Sequence, residues 1–200
     1  KVLERFKSFN IDTVLFSKND LKNNTILNSL KNINPEEVPF RPDIIWASPP
    51  CTFFSVGSIG KHWNKDHTPK TEGAKLGIAI IKKTLEIIDI LQPSYFVIEN
   101  PRGKLRKLGL IDPKFHGRSN VRQTVWYCQY GDMRAKPTDL WTNIYDWTPR
   151  PLCFNGNRDC HHQPAPRGSQ SGTQGLANSY EKSKVPEELC LEILKTLGDK

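Results

Sequence analysis

Cys51 follows Ser48-Pro49-Pro50, and Glu99 follows the apolar run Tyr95-Phe96-Val97-Ile98. Proline fixes φ and lacks an amide donor, so two in succession stiffen the loop that carries the thiol. A thiol held on a rigid rim is a candidate nucleophile. A carboxyl group at the end of an apolar strand is costly to bury unless it is paired. Such a site raises the carboxyl pKa, which suits a proton donor near neutral pH. Each residue also has a plainer reading. An isolated cysteine is more often a small buried apolar side chain, and Glu99-Asn100-Pro101 can form a surface turn or cap. A stiffened thiol and a strand-end carboxyl on two separate strands make a more specific combination than either residue alone.

Positioning them requires strands and a crossover. Short apolar runs bounded by turn residues predict strands over 11–16, 43–48, 94–101 and 123–131. Leu76, Ile80, Ile81, Leu85, Ile88 and Leu91 fall at helical spacing within 74–91, and Pro93 stops the run. Residues 22–31 have weak helical spacing. Residues 184–197 read as a short closing helix with Pro186 near its first turn. Strand, helix, strand in this order predicts an α/β fold with a mostly parallel central sheet. In such sheets ligands bind beyond the carboxyl ends of the strands. That rule places Cys51 and Glu99 on one rim, each just past a strand end. Residues 146–178 are rich in Pro, Gly, Arg and Asn and read as an irregular segment within a single domain spanning 1–200.

Two hundred residues suffice for one domain with a sizeable core. No apolar run approaches the roughly 20 residues of a membrane span, and a cytoplasmic protein is expected. The first residue is Lys1 rather than Met, so the chain reads as a fragment. Net charge is +8, with a pI near 9.3. A basic surface suits a polyanion, because neutralised phosphates release condensed counterions. The five cysteines are odd in number and scattered without a Cys-x-x-Cys pair, which fits a reducing compartment.

The stretch "SPPCTFFS" resembles the Pro-Cys motif of the cytosine-5 DNA methyltransferases, and "FVIENPRG" resembles their Glu-Asn-Val motif with proline for valine. "YGDMRAKPTDLWTN" occupies the place of that family's QxRxR strand. "KSKVPEELCLEIL" resembles its closing motif. The combination is most similar to small, divergent members encoded by phages and large viruses. The resemblance implies a Rossmann-like methyltransferase sheet, S-adenosylmethionine as cofactor and DNA as partner. It also implies a mechanism. Glu99 protonates or hydrogen-bonds ring nitrogen 3 of cytosine, and the Cys51 thiolate adds to carbon 6. Carbon 5 then takes the methyl group, and loss of its proton with elimination of Cys51 releases 5-methylcytosine. The target base must leave the duplex for both groups to reach it. Arg134 and Lys136 stand where the family has two arginines, contacting the base or the backbone beside the thiol. Ser55, Lys61, His62 and Lys65 belong to a loop that closes over the site. Asn100, Arg102, Lys104 and Arg167 are further nucleic-acid candidates. Ser17, Asp20, Pro49, Asn178 and Ser183 are the cofactor candidates.

The family's glycine-rich cofactor motif is absent and would precede Lys1. Ser17 stands where an acidic residue is expected, with Asp20 out of register. Two other readings carry part of the pattern. One is an amino-methyltransferase, which also uses Ser-Pro-Pro but follows it with an aromatic residue. The other is a catalytically inactive DNA-binding relative. Finally, "CFNGNRDCHH" offers Cys153, Cys160, His161 and His162. Adjacent histidines rarely chelate one ion well, so no metal is expected there.

Overall fold

The structure, a computed structural model, describes residues 13–16, 41–115, 117–165 and 179–198. Its main sheet has the order β1-β2-β3-β7-β6. The strands are β1 (Thr13–Phe16), β2 (Ile44–Ala47), β3 (Tyr95–Pro101), β6 (Val121–Trp126) and β7 (Pro137–Thr142). A small hairpin of β4 (Lys114–Phe115) and β5 (Arg118–Ser119) lies apart from it. The helices are α1 (Ile59–His62), α2 (Glu72–Leu91), α3 (Ser179–Ser183) and α4 (Glu187–Gly198). None among the described residues is long and apolar enough to cross a membrane.

The expected helix forms with two extra residues at its start. Thr71 caps α2, its hydroxyl oxygen accepting from the Ala74 amide at 3.3 Å. Such a cap satisfies one of the donors that a helix start leaves orphaned. At the other end Gln92 takes the left-handed conformation, and Pro93 prevents continuation. Helix α2 crosses between β2 and β3, which is why those strands run parallel.

Alternate residues of the strands face two apolar layers. Ile45, Ala47, Phe96 and Ile98 pack with Ile80, Ile81, Leu85 and Ile88 of α2. Ile44, Trp46, Val97 and Leu140 pack with Leu189, Ile193 and Leu194 of α4. Every residue of β2 is therefore buried, as its unbroken apolar run requires. Each large aliphatic side chain removed from water contributes about 1.5–3 kcal/mol.

The sheet is mixed rather than mostly parallel. β1–β2 and β2–β3 pair parallel, whereas β3–β7 and β7–β6 pair antiparallel. The physical reason is the connection. Residues 127–136 join β6 to β7 without a crossover helix, so the two strands must fold back on one another.

Two other boundaries differ from expectation. The run 123–131 stays a strand only to Trp126; Tyr127–Tyr130 form a 3-10 turn that ends at Gly131 with φ 80°. The closing helix begins at Glu187, immediately after Pro186, and α3 is a separate short turn before it. The irregular segment has neither helix nor strand through Ala165. The helix expected over 22–31 lies outside the described residues.

Candidate active site

The cysteine loop is built on its neighbours. The Cys51 carbonyl accepts from the amides of Phe54 and Ser55, both at 2.9 Å, which closes a tight turn. Phe53 and Phe54 are buried and anchor that turn. The Trp63 indole N–H donates to the Phe53 carbonyl at 2.5 Å, and the Phe54 and Trp63 rings lie 5.8 Å apart. Cys51 itself is partly exposed. The loop thus buries its aromatics and leaves Cys51 partly exposed.

Glu99 lies inside β3, not past its end as expected, because β7 extends the ladder and sets Leu140 opposite it. It is still on the required rim. The last β2 residue, Ala47, pairs with Ile98, so Glu99 is the next position beyond the end of β2. The side chain is fully buried. Tyr127, also fully buried, donates its hydroxyl to Glu99 Oε1 at 2.9 Å. Burial pushes the Tyr127 hydroxyl well above its ordinary pKa, and the Glu99 carboxylate adds to the shift. Tyr127 therefore stays protonated and keeps donating.

Asn100 ties the two halves together. Its buried amide donates to the Pro49 carbonyl at 2.9 Å, so the residue after the carboxyl group holds the proline that precedes the thiol loop. A second close approach reinforces this. The Lys104 amide donates to the Phe54 carbonyl at 2.7 Å. Gly103 makes room for it, since a Cβ there would fall 2.3 Å from that same oxygen.

Beside the Tyr127 ring sits a buried cation. The Lys136 Nζ lies 4.4 Å from the Tyr127 ring centroid. Lys136 has a positive φ of 25° immediately before Pro137. A residue before proline normally adopts extended backbone, so the loop stores strain at this point. Arg134 is also buried, but its guanidinium serves the protein itself. It pairs with Asp132 and donates to the carbonyls of Glu181 at 2.8 Å and Lys184 at 3.2 Å. Both residues belong to the loop before β7 and not to the strand.

The sequence profile of the C-5 cytosine-specific DNA methylases matches residues 12–107. A protein of frog virus 3 (isolate Goorha), assigned as a DNA (cytosine-5)-methyltransferase, is 32% identical over 179 residues, covering 82% of this chain and 78% of its own length. The chain belongs to the C-5 cytosine-specific DNA methylases. A solved structure of a prophage-encoded DNA modification methyltransferase from E. coli matches with 16% identity and a TM-score of 0.36. That match covers 68% of this chain and 37% of the E. coli chain.

The remaining sequence candidates separate into groups. Lys61, Lys65 and Arg102 are exposed, and the Arg102 guanidinium lies 5.5 Å over the Trp126 ring. Ser55 is partly buried, its hydroxyl 3.0 Å from that of Ser58. His62 packs edge-on against Phe53 at 5.1 Å, and its Nδ1 lies 2.7 Å from the Thr71 hydroxyl. Burial, then Lys61, holds its pKa below the ordinary value. Asn100 is buried and already engaged by Pro49. Lys104 is a correction to the set of phosphate contacts. It is buried beneath the loop, with its ammonium 2.7 Å from His67 Nδ1 and 5.3 Å from the Trp63 ring. Of the cofactor candidates, Pro49 is buried at the β2 rim and Ser183 ends α3, half-buried. Ser17, Asp20, Asn178 and Arg167 lie outside the described residues.

Three residues escaped the sequence reading: Tyr127, Gly103 and Cys128. The first two act through partners distant in the chain, and no local pattern marks them.

Proposed function

We propose that the methylase transfers a methyl group from S-adenosylmethionine to carbon 5 of a cytosine flipped out of DNA, with Cys51 as nucleophile and Glu99 as the partner of ring nitrogen 3. The observation that carries this reading is the Asn100–Pro49 hydrogen bond, which joins the thiol loop to the carboxyl-bearing strand at one rim. A sheet of Rossmann-like methyltransferase type, with the site beyond the carboxyl ends of β2 and β3, fits that placement.

Addition of the Cys51 sulfur to carbon 6 forms the S–C bond and pushes electron density towards nitrogen 3 and carbon 5. The Glu99 carboxyl proton at nitrogen 3 accepts that density. Tyr127 donates to Glu99 Oε1 and so fixes the orientation of the carboxyl group at the rim. When bound, S-adenosylmethionine supplies the electrophilic methyl group. A solvent water or hydroxide then takes the carbon 5 proton, the freed electron pair re-forms the bond between carbons 5 and 6, and the S–C bond breaks with Cys51 leaving as thiolate. The preformed, water-poor setting of Glu99 strengthens its interaction with the ring.

The fit of the cofactor rests on a partial set of residues. Pro49 offers an apolar wall at the β2 rim; the residues expected to hold the ribose lie outside those described. DNA is held in this reading by Lys61, Lys65 and Arg102, the exposed cations around the cysteine loop. Flipping a base costs a few kcal/mol, and such contacts offset it. Arg134 acts as a positioning residue rather than a base contact, since its nitrogens already have protein partners.

The test is covalent trapping. DNA carrying 5-fluorocytosine should form a stable adduct with the methylase in the presence of S-adenosylmethionine. Cys51→Ala should abolish both adduct and methyl transfer while DNA affinity stays nearly intact. Transfer surviving in that variant removes Cys51 as nucleophile. A calorimetric isotherm that never saturates with S-adenosylmethionine favours an inactive DNA-binding relative.

A further inference from the structure

Away from the cytosine site, the fold gathers Cys128, Cys153, Cys160 and His162. One ligand atom from each lies within 4.8 Å of all the others. Three of the four side chains are buried and Cys160 is partly so. We propose that these residues form a structural zinc site that clips the irregular segment onto the turn after β6.

The donor set is chemically specific. Three thiols and one imidazole match the three-cysteine, one-histidine composition of closed, four-coordinate zinc centres. A tetrahedral ion with Zn–S near 2.3 Å sets its sulfurs about 3.8 Å apart, so the existing cluster needs only a small contraction. The imidazole is placed to join it, with His162 Nδ1 3.7 Å from Cys153 Sγ. His162 Nε2 is buried and has no hydrogen-bond partner among the described residues.

Side-chain amides flank the sulfurs. The Gln129 amide approaches Cys128 Sγ and Cys160 Sγ, each at 3.8 Å. The Asn157 amide approaches Cys153 Sγ at 3.6 Å. Amide donors around ligand sulfurs are the usual outer support of a metal centre. His161 takes no part: it is exposed, with Nε2 3.1 Å from the Asp132 carbonyl. The two histidines therefore do not compete for one ion, and the fourth ligand comes from a 3-10 turn distant in the chain.

The location gives the clip a purpose. Cys128 directly follows Tyr127, the residue that holds Glu99. Beyond His162, the Gln163 amide donates to the Met133 carbonyl at 2.9 Å. The segment thus runs alongside the loop that carries Arg134 and Lys136. Closing the metal site fixes that loop and the Tyr127 turn against one another.

The full chain, purified without chelator and dialysed, should hold about one zinc per chain by mass spectrometry of the metal. Cobalt exchanged into it should show thiolate-to-cobalt charge-transfer and tetrahedral ligand-field bands. Cys128→Ser and His162→Ala should lose the metal, and His161→Ala should keep it. His162→Cys, which preserves four soft ligands, should keep it with a shifted charge-transfer band. Zinc well below stoichiometric in the unaltered chain, a disulfide among these cysteines in its place, or full retention by Cys128→Ser each overturns the proposal. A cobalt spectrum unchanged in His162→Cys does so as well, even if the serine variant fails to fold.

Discussion

Replacing Gly103 with alanine tests how the thiol is aimed. The added Cβ meets the Phe54 carbonyl oxygen at 2.3 Å. Carbon-to-oxygen contacts seldom fall below about 3.3 Å, so one backbone must retreat by roughly 1 Å. The retreat also breaks the Lys104–Phe54 hydrogen bond, worth about 1 kcal/mol. Strain from overpacking adds about 1–3 kcal/mol. For a chain of this length the melting temperature should fall by roughly 2–4 °C per kcal/mol. The larger effect is chemical. Phe54 belongs to the turn closed on the Cys51 carbonyl, so its displacement carries the thiol with it. A misplacement near 1 Å costs on the order of 100-fold in rate. The assay is the rate of adduct formation on 5-fluorocytosine DNA, beside a thermal melt and a DNA-binding isotherm. Adduct formation should slow by that order while DNA affinity is retained. A trapping rate within about twofold of the unaltered chain, measured under single-turnover conditions, would refute the claim that this approach positions Cys51.

Three further outcomes test the acid side of the site. Glu99→Gln should slow methyl transfer strongly without unfolding the chain; an unchanged rate in a transfer assay moves Glu99 to a structural role. Tyr127→Phe should destabilise the fold by about 0.5–1.5 kcal/mol through the lost hydrogen bond, and it should shift the pH–rate profile, which a purely structural tyrosine would leave in place. Burial pushes Asp132 up, but its hydrogen bonds to Arg134 outweigh burial and hold the carboxyl below its ordinary 3.8. A carboxyl depressed in the folded state stabilises above the unfolded value and loses that contribution as pH falls through the folded one. Melting temperature should therefore drop on acidification below about pH 4, and Asp132→Asn should flatten that limb; an identical acid limb in the variant contradicts the assignment.

The strands and the long helix were legible because burial on both faces writes an unbroken apolar run into β2 and a helical stripe into α2. Cys51 and Glu99 stood out because each follows such a run. What stayed hidden depends on contacts between distant segments. Lys104 reads as one more surface cation until the loop folds over it and His67 meets its ammonium. Arg134 reads as a substrate contact until α3 and its following turn present their carbonyls. The mixed sheet was hidden for another reason: an apolar run names a strand but not its direction, which the short 127–136 connection decides. The metal-ligand cluster needs Cys128, which no spacing rule links to the Cys-His segment.

The amide bridge from Asn100 to Pro49 has an evolutionary corollary. Sulfur and acid are not separately adjustable parts, because a shift of either backbone is transmitted to the other through one bond. A related loop grafted in alone would inherit a mismatched anchor, so the thiol loop and the carboxyl-bearing strand are expected to travel between lineages as a single cassette.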